Sequence, residues 1–173
     1  DNGTDSRYEL VDGKLEVMNP PTFRHLLISD FIQDNFKAEI KRLSLPWLCF
    51  KEAGVRTGWR KSRLSDVYVV TTAQVMEFLD ESAVCQTAPI LVVEVVSLDS
   101  VKRDYRHKRS EYAALEIPEY WIVDPIKSKI TILLLEEGLY EEQEFSGNQQ
   151  IISATFPKIA LTVEQVLAAG NVA

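Results

Sequence analysis

The chain has 173 residues, 46% hydrophobic and 26% charged, a composition that fits one domain able to bury a sizeable core. No apolar stretch approaches the roughly 20 residues of a membrane span, and no secretory signal is visible, so no membrane partner is expected. A formal charge of −7 argues against a general nucleic-acid coat protein, because affinity for phosphate backbones comes mainly from positive charge. Cys49 and Cys85 lie far apart without Cys-x-x-Cys spacing, which argues against a disulfide framework or a zinc site and fits a reducing cytoplasm.

In chain order, Tyr8–Val11 and Lys14–Met18 flank Asp12-Gly13, a strong hairpin signal, and Pro20-Pro21 closes that unit. From Thr22 to about Leu43, Ile28, Ile32, Phe36, Ile40 and Leu43 recur at steps of four and three, the stripe of an amphipathic helix. Short strands are expected around Trp47–Phe50, Gly54–Thr57 and Ser65–Val70, then a helix over Thr72–Leu79 and a loop or strap over Asp80–Pro89.

The run Ile90-Leu91-Val92-Val93-Glu94-Val95-Val96 reads as a strand buried on both faces. Glu94 is its one polar residue, and an ionised carboxylate there is costly unless a cation or several donors meet it. Asp66 enters a second apolar run, Val67-Tyr68-Val69-Val70. Two acids on two core strands point to a divalent-metal site, although a lone Asp at a strand entrance is otherwise a turn acid. Oxygen ligands of this kind suit a hard cation such as Mg²⁺ or Mn²⁺.

After Ser97, a helix capped by Asp99 or Ser100 is predicted to run to about Leu115 and to stop at Ile117-Pro118. Tyr120–Val123 reads as a short strand. Lys129–Leu135 and Leu139–Phe145 form an antiparallel pair around Gly138, and Thr162 with Gln165 fits the capping box of a last helix.

Charge is distributed unevenly. Residues 55–63 hold Arg56, Arg60, Lys61 and Arg63 with no acid, and residues 101–109 hold Lys102, Arg103, Arg106, Lys108 and Arg109 with one. Either these are solvated charged stretches or Arg56, Arg60, Arg63, Arg103 and Arg106 form a basic face for DNA. Trp59 could stack on a base there, or pack on its own domain or on the second subunit of a homodimer. Glu9 reads as an additional metal ligand or an exposed hairpin acid, and His25 as a neighbour of the site or a satisfied helix histidine.

The order helix, antiparallel strands, strand, helix, strand resembles the restriction-endonuclease-like fold, an α/β (α+β) core with a mixed central sheet flanked by helices, here preceded by an N-terminal hairpin. Its motif would read Ser65-Asp66 followed by Glu94-Val95-Val96, with Ser65 in place of the usual Pro and Val96 in place of the usual Lys. Four segments resemble the Uma-type putative endonuclease family of the PD-(D/E)xK superfamily more specifically: Tyr8–Leu15, Leu91–Ser97, Asp104-x-x-x-Lys108-x-x-x-Tyr112 and Ile117–Pro125. The likeness covers about residues 7–167 of a single domain spanning 1–173. It implies a metal-dependent endonuclease whose Mg²⁺ or Mn²⁺ is held by Asp66, Glu94 and the carbonyl of Val95, and in which the basic residue has moved to the following helix, making Lys108 the catalytic partner of Asp66 and Glu94.

Strand and helix geometry support that placement. Glu94 to Ser97 is about 10 Å at roughly 3.3 Å per residue, and Ser100 to Lys108 about 12 Å at 1.5 Å per residue, so a helix folding back brings Lys108 level with Glu94. Asp104, Lys108 and Tyr112 are spaced by four and share one face. The plain alternative is a surface ion pair between Asp104 and Lys108. Two functions are therefore expected: a metal-dependent endonuclease acting on DNA, or a non-catalytic nucleic-acid-binding or oligomerisation module that keeps the nuclease fold.

Overall fold

Asp12 and Gly13 both take left-handed backbone, with φ of 49° and 78°. A two-residue hairpin turn requires that pair of conformations, and it joins β1 (Arg7–Val11) to β2 (Lys14–Met18). A side chain at position 13 would also collide with the Arg60 guanidinium, 2.2 Å from where its Cβ would stand. The Gly13 N–H donates to the Arg60 carbonyl at 3.0 Å, docking this turn on the next hairpin. These details come from a computed structural model that describes residues 6–172.

Helix α1 (Phe23–Arg42) starts where the Thr22 hydroxyl accepts from the His25 N–H at 3.2 Å, and its buried stripe is Ile28, Ile32, Phe36 and Ile40. The three short strands expected next are two long ones, β3 (Trp47–Gly58) and β4 (Lys61–Thr71), paired along almost their whole length. The polar pair Lys51-Glu52 looks like a break in sequence. It is absorbed because Glu52 turns to φ 53° while Lys51 and Ala53 keep their register with Val67 and Ser65. The outer edge of β3 meets only the two-residue β5 (Val84–Cys85), so charge is tolerated there.

Helix α2 (Thr72–Glu77) opens with a capping box of Thr71 and Gln74. Strand β6 (Leu91–Val95) is buried at every position, between β4, to which it is antiparallel, and β7 (Glu119–Asp124), to which it is parallel. The connection between β6 and β7 carries a π-helical segment, Arg103–Lys108, running directly into α3 (Arg109–Ala114). A regular α-helix was the expectation. The wider π-helical turn is a local departure of the kind that recurs at functional sites. Strands β8 (Lys129–Glu136) and β9 (Leu139–Ser146) complete the sheet, and α4 (Val163–Ala168) begins at the expected Thr162–Gln165 box.

The result is a mixed sheet in the order β2-β1-β4-β6-β7-β8-β9, with β3 on the other edge of β4. Alternation along β6 divides the core. Leu91, Val93 and Val95 pack with Val67, Val69 and Trp121 beneath α1 and the C-terminal segment, whereas Val92 and Val96 pack with Tyr68, Tyr120 and Tyr112 beneath the π-helical side. Glu94 shares the second face. Among the described residues, no helix is long and apolar enough to cross a membrane.

Beside this core, Glu119 is buried and accepts four hydrogen bonds, from the Ser153 hydroxyl at 2.6 Å, the Trp121 indole at 2.6 Å and the amides of Ala154 and Thr155 at 2.8 and 3.0 Å. It thereby ties residues 153–155 to the sheet. Glu119→Gln turns one acceptor into a donor and leaves buried donors unmatched, so it should destabilise by about 2 kcal/mol. The urea midpoint should fall with its slope unchanged, and hydrogen exchange should accelerate first at Ala154 and Thr155. An unaltered midpoint would show that these bonds hold nothing.

Candidate functional site

Strand β4 has two partners on the edge opposite β3. Strand β1 meets it at Ser62, through Leu10, and β6 meets it at Val67–Val69. Residues 63–66 lie between the two contacts, and side chains fill the space where main-chain pairing stops. The register Val67↔Val93, continued by one residue, sets Asp66 opposite Glu94. Both side chains then project from the same face of the sheet.

Every polar atom there is held. Asp66 accepts from the Val95 N–H at 2.7 Å and lies 2.8 Å from Nε2 of His25. Glu94 accepts from the Tyr112 hydroxyl at 2.7 Å through Oε1, and its Oε2 lies 3.1 Å from Nζ of Lys108. Lys108 also donates to the Leu64 carbonyl at 2.9 Å and lies 3.3 Å from Glu9 and 3.8 Å from Asp104. Asp104 accepts from the Ser100 hydroxyl at 2.6 Å. Glu9 takes the Leu64 N–H at 3.1 Å and the Arg63 guanidinium at 2.9 Å, while Arg63 turns its remaining donors to Glu111 at 2.7 and 2.8 Å.

Three carboxylates thus surround one ammonium, with Asp66 in electrostatic reach, and burial decides which of them stay charged. Burial pushes Asp66 upward, but the His25 hydrogen bond and charge, Lys108 and the Val95 amide outweigh it and hold the group below its ordinary value. Glu9 is likewise lifted by burial and drawn below its ordinary value by Lys108 and Arg63. Glu94 goes well up, because burial, with Asp66 and Asp104 adding to it, exceeds the pull of Lys108. Burial raises Asp104 to about 6 against the same lysine. Burial pulls Lys108 down, but Glu94, Glu9, Asp104 and Asp66 together keep it above the usual lysine range.

Asp66, Glu94, Asp104 and Lys108, though not Glu9, line a cavity of about 550 Å³ together with Val95 and Arg103, among others. Among the described residues, no three His, Cys, Asp or Glu side chains converge as a metal cluster. The oxygen donors side by side are the two carboxylates of Asp66 and Glu94, next to the main chain of Val95. Two carboxylates with the remaining positions left to water suit a hard cation such as Mg²⁺.

The sequence-predicted residues are distributed unevenly over this geometry. Asp66, Glu94, Val95 and Lys108 come together, and Arg103 lines the same cavity. Arg63 was expected on a basic face; it is buried instead, because Glu9 and Glu111 occupy its guanidinium. Arg56 donates to the carbonyls of Gly58 and Trp59, and Arg60 is exposed with its guanidinium 5.9 Å from the Trp59 ring. Arg106 is exposed. None of these three lines the cavity. Val96, at the usual lysine position, is buried among the aromatic residues of the second core. Tyr112 was placed on the right helix face without a role, and its contact with Glu94 follows from that same spacing of four.

Comparison with known proteins agrees with this architecture. The family described as "Putative restriction endonuclease", Uma2, matches residues 1–164. The crystal structure of a putative nuclease of the DUF820 group from Anabaena variabilis is similar with a TM-score of 0.81 at 17% identity, over 97% of this chain and 93% of that one. At such identity the likeness is one of fold. The type IIG restriction endonuclease BpuSI is 9% identical with a TM-score of 0.43, over 88% of this chain and 17% of that one, too slight a likeness to carry an argument. No curated protein matches the chain. A match over nearly the full length, on a mixed sheet shared with a nuclease-family structure, means that the chain belongs to the Uma2 family of putative restriction endonucleases.

Proposed function

We propose that this protein is a metal-dependent nuclease that hydrolyses phosphodiester bonds of DNA. The observation that carries the reading is the convergence of Asp66 and Glu94 from neighbouring strands, with Lys108 3.1 Å from Glu94, at the inner end of one cavity in a chain of this family. Asp66, Glu94 and the carbonyl of Val95 would hold Mg²⁺ or Mn²⁺. The chemistry such an ion supplies when bound is Lewis-acid polarisation of the phosphate and stabilisation of the leaving oxygen.

The chain's own residues have distinct parts in this reading. His25 and the Val95 N–H fix the orientation of Asp66, and the Tyr112 hydroxyl fixes that of Glu94. Held above its ordinary value, Lys108 stays protonated and cannot serve as a base. Its part is to neutralise negative charge developing on the phosphate, the kind of preorganised stabilisation that lowers a barrier most.

A second reading, a non-catalytic module with the same fold, is favoured by one observation: Lys108 already has a carbonyl and three carboxylates around it, as a structural ion network would. Nicking of supercoiled plasmid separates the two. Activity should require Mg²⁺ or Mn²⁺ and vanish in Glu94→Gln; metal-independent nicking, or full activity in that variant, would overturn the nuclease reading.

Metal should also stabilise the fold. A ligand that binds only the native state at a hundred times its dissociation constant contributes about 2.7 kcal/mol, a rise of about 5–10 °C in Tm for a chain of this size. The parent should show that rise with Mn²⁺, and Asp66→Asn and Glu94→Gln should not. Equal shifts in all three would place the ion elsewhere.

Without metal, acidity matters in the opposite sense from the common carboxylate case. Asp104 binds its proton more tightly folded than unfolded, so its contribution to stability is complete below its ordinary value of 3.8 and is lost as pH rises toward about 6. Glu94, also raised, acts in the same direction. Asp66 and Glu9, held below their ordinary values, act in the opposite direction, so the contribution of Asp104 is read as a difference: between about pH 4 and 6 the metal-free parent should lose stability relative to Asp104→Asn. Urea midpoints across that range check it, and parallel slopes for the two proteins would contradict the assignment.

A further inference from the structure

The carboxylates are recessed. Asp66 is 8% exposed, Glu94 1% and Lys108 3%, behind a rim where the Asn19 amide donates to Asp99 at 2.7 Å and so ties the loop before α1 to the loop after β6. A cavity of about 550 Å³ is on the scale that encloses one small-molecule-sized group. On its rim stand Leu98 and Ile126, 87% and 49% exposed, beside Pro20 and Pro21. Apolar surface of this kind suits the face of an unstacked base, which a duplex keeps stacked inside.

The cations lead to the same substrate. A protein that grips duplex DNA electrostatically makes about 6–10 phosphate contacts. Here much of the positive charge is already engaged: Arg63 by Glu9 and Glu111, Lys61 by Asp12 and Glu111, Arg109 by Glu142. Of the arginines lining the cavity, Arg7 faces Glu52 at 3.5 Å and Arg24 donates to Asn171 at 3.1 Å. Arg103 differs. Its Nε is buried, and an unmatched buried donor is costly unless a ligand supplies the acceptor. A guanidinium matches a phosphate with two parallel hydrogen bonds.

We propose that the site takes single-stranded DNA, one nucleotide entering the cavity with its phosphate held by Arg103 and its base against Leu98 and Ile126. The proposal rests on the nuclease reading for the location of the reacting phosphate. It assigns substrate class to the depth and rim of the cavity, where one gripped phosphate and a stacked base replace a broad basic track.

The test uses the full chain and one fluorescein-labelled oligonucleotide, free or annealed into a blunt duplex. Binding is followed by anisotropy with Ca²⁺, and cleavage with Mn²⁺. The single strand should bind about tenfold more tightly than the duplex, and Arg103→Gln should remove about that factor, the worth of one charge-assisted hydrogen bond. The variant's Mn²⁺-induced melt shift should be unchanged. Arg103→Lys should recover only part of the affinity, since an ammonium cannot form the fork. Leu98→Asp, at an exposed rim position, should weaken the single strand and leave the melt intact. Duplex binding as tight as single-strand binding, or Arg103→Gln binding like the parent, would overturn the proposal. Equal cleavage of both forms would remove it while leaving the nuclease reading standing, whereas selective single-strand binding without cleavage in any metal would support it and remove catalysis.

Discussion

The buried ammonium of Lys108 is the constraint on which the rest of this molecule depends. Taking such a group out of water costs several kcal/mol even after relaxation, and Lys108 is 3% exposed. It is tolerable only because Glu9 on β1, the Leu64 carbonyl on β4, Glu94 on β6 and Asp104 on its own helix all lie within 4 Å. Those four groups belong to three strands and the crossover between β6 and β7, so one charge requires all of them to be in register. The acids need the cation equally. Remove it from this arrangement and Glu94 and Asp104 lose their largest stabilising charge while still facing Asp66.

The place for that charge is created by topology. One strand, β4, accepts two neighbours on a single edge, and they cannot both pair with it continuously. A gap in a sheet normally exposes unpaired N–H and C=O groups, which are costly when buried. Here Leu64 gives its N–H to Glu9 and its carbonyl to Lys108, so side chains complete the hydrogen bonding that strands would have supplied. One of the residues that close the gap structurally, Lys108, therefore also carries charge to the cavity. Stability and site are one arrangement, and the acid excess that burial leaves there is what a divalent cation would relieve.

Much of this was legible in the residues, and what was not has physical reasons. Glu94 stood out because a carboxylate in a continuous apolar strand demands a partner, and the family resemblance, supported by the spacing of Asp104, Lys108 and Tyr112, put that partner one helix away. The hairpin at Asp12-Gly13 and the capping box at Thr162 depend on neighbours in sequence, so local chemistry was sufficient for them. Glu9 was ambiguous, since its partner Arg63 is 54 residues distant and nothing local distinguishes a buried hairpin acid from the exposed Glu16 opposite it. Arg63 misled for the mirror-image reason: a basic run looks like surface until Glu111, 48 residues on, arrives to neutralise it. The merging of three short strands into two long ones was hidden because polarity at Lys51-Glu52 marks an outer sheet edge and not a chain break.

Val96 shows why the lysine belongs on the helix in this chain. Position 96 shares the face of Glu94, but it is packed with Tyr112, Ile122 and Tyr120 in the second core. Val96 also lines the cavity, so a lysine there would give up apolar packing in that core, whose Tyr112 hydroxyl already serves Glu94. From the helix, Lys108 reaches the same carboxylate along a different approach, and its stem runs back to a π-helical turn whose position is set by Asp104 and Ser100. The apolar strand is thus kept whole for packing while the charge arrives from the side. That division leaves the placement of the cation to the connection between β6 and β7, and Arg103, at the start of the same π-helical segment and lining the same cavity, is positioned by the same turn.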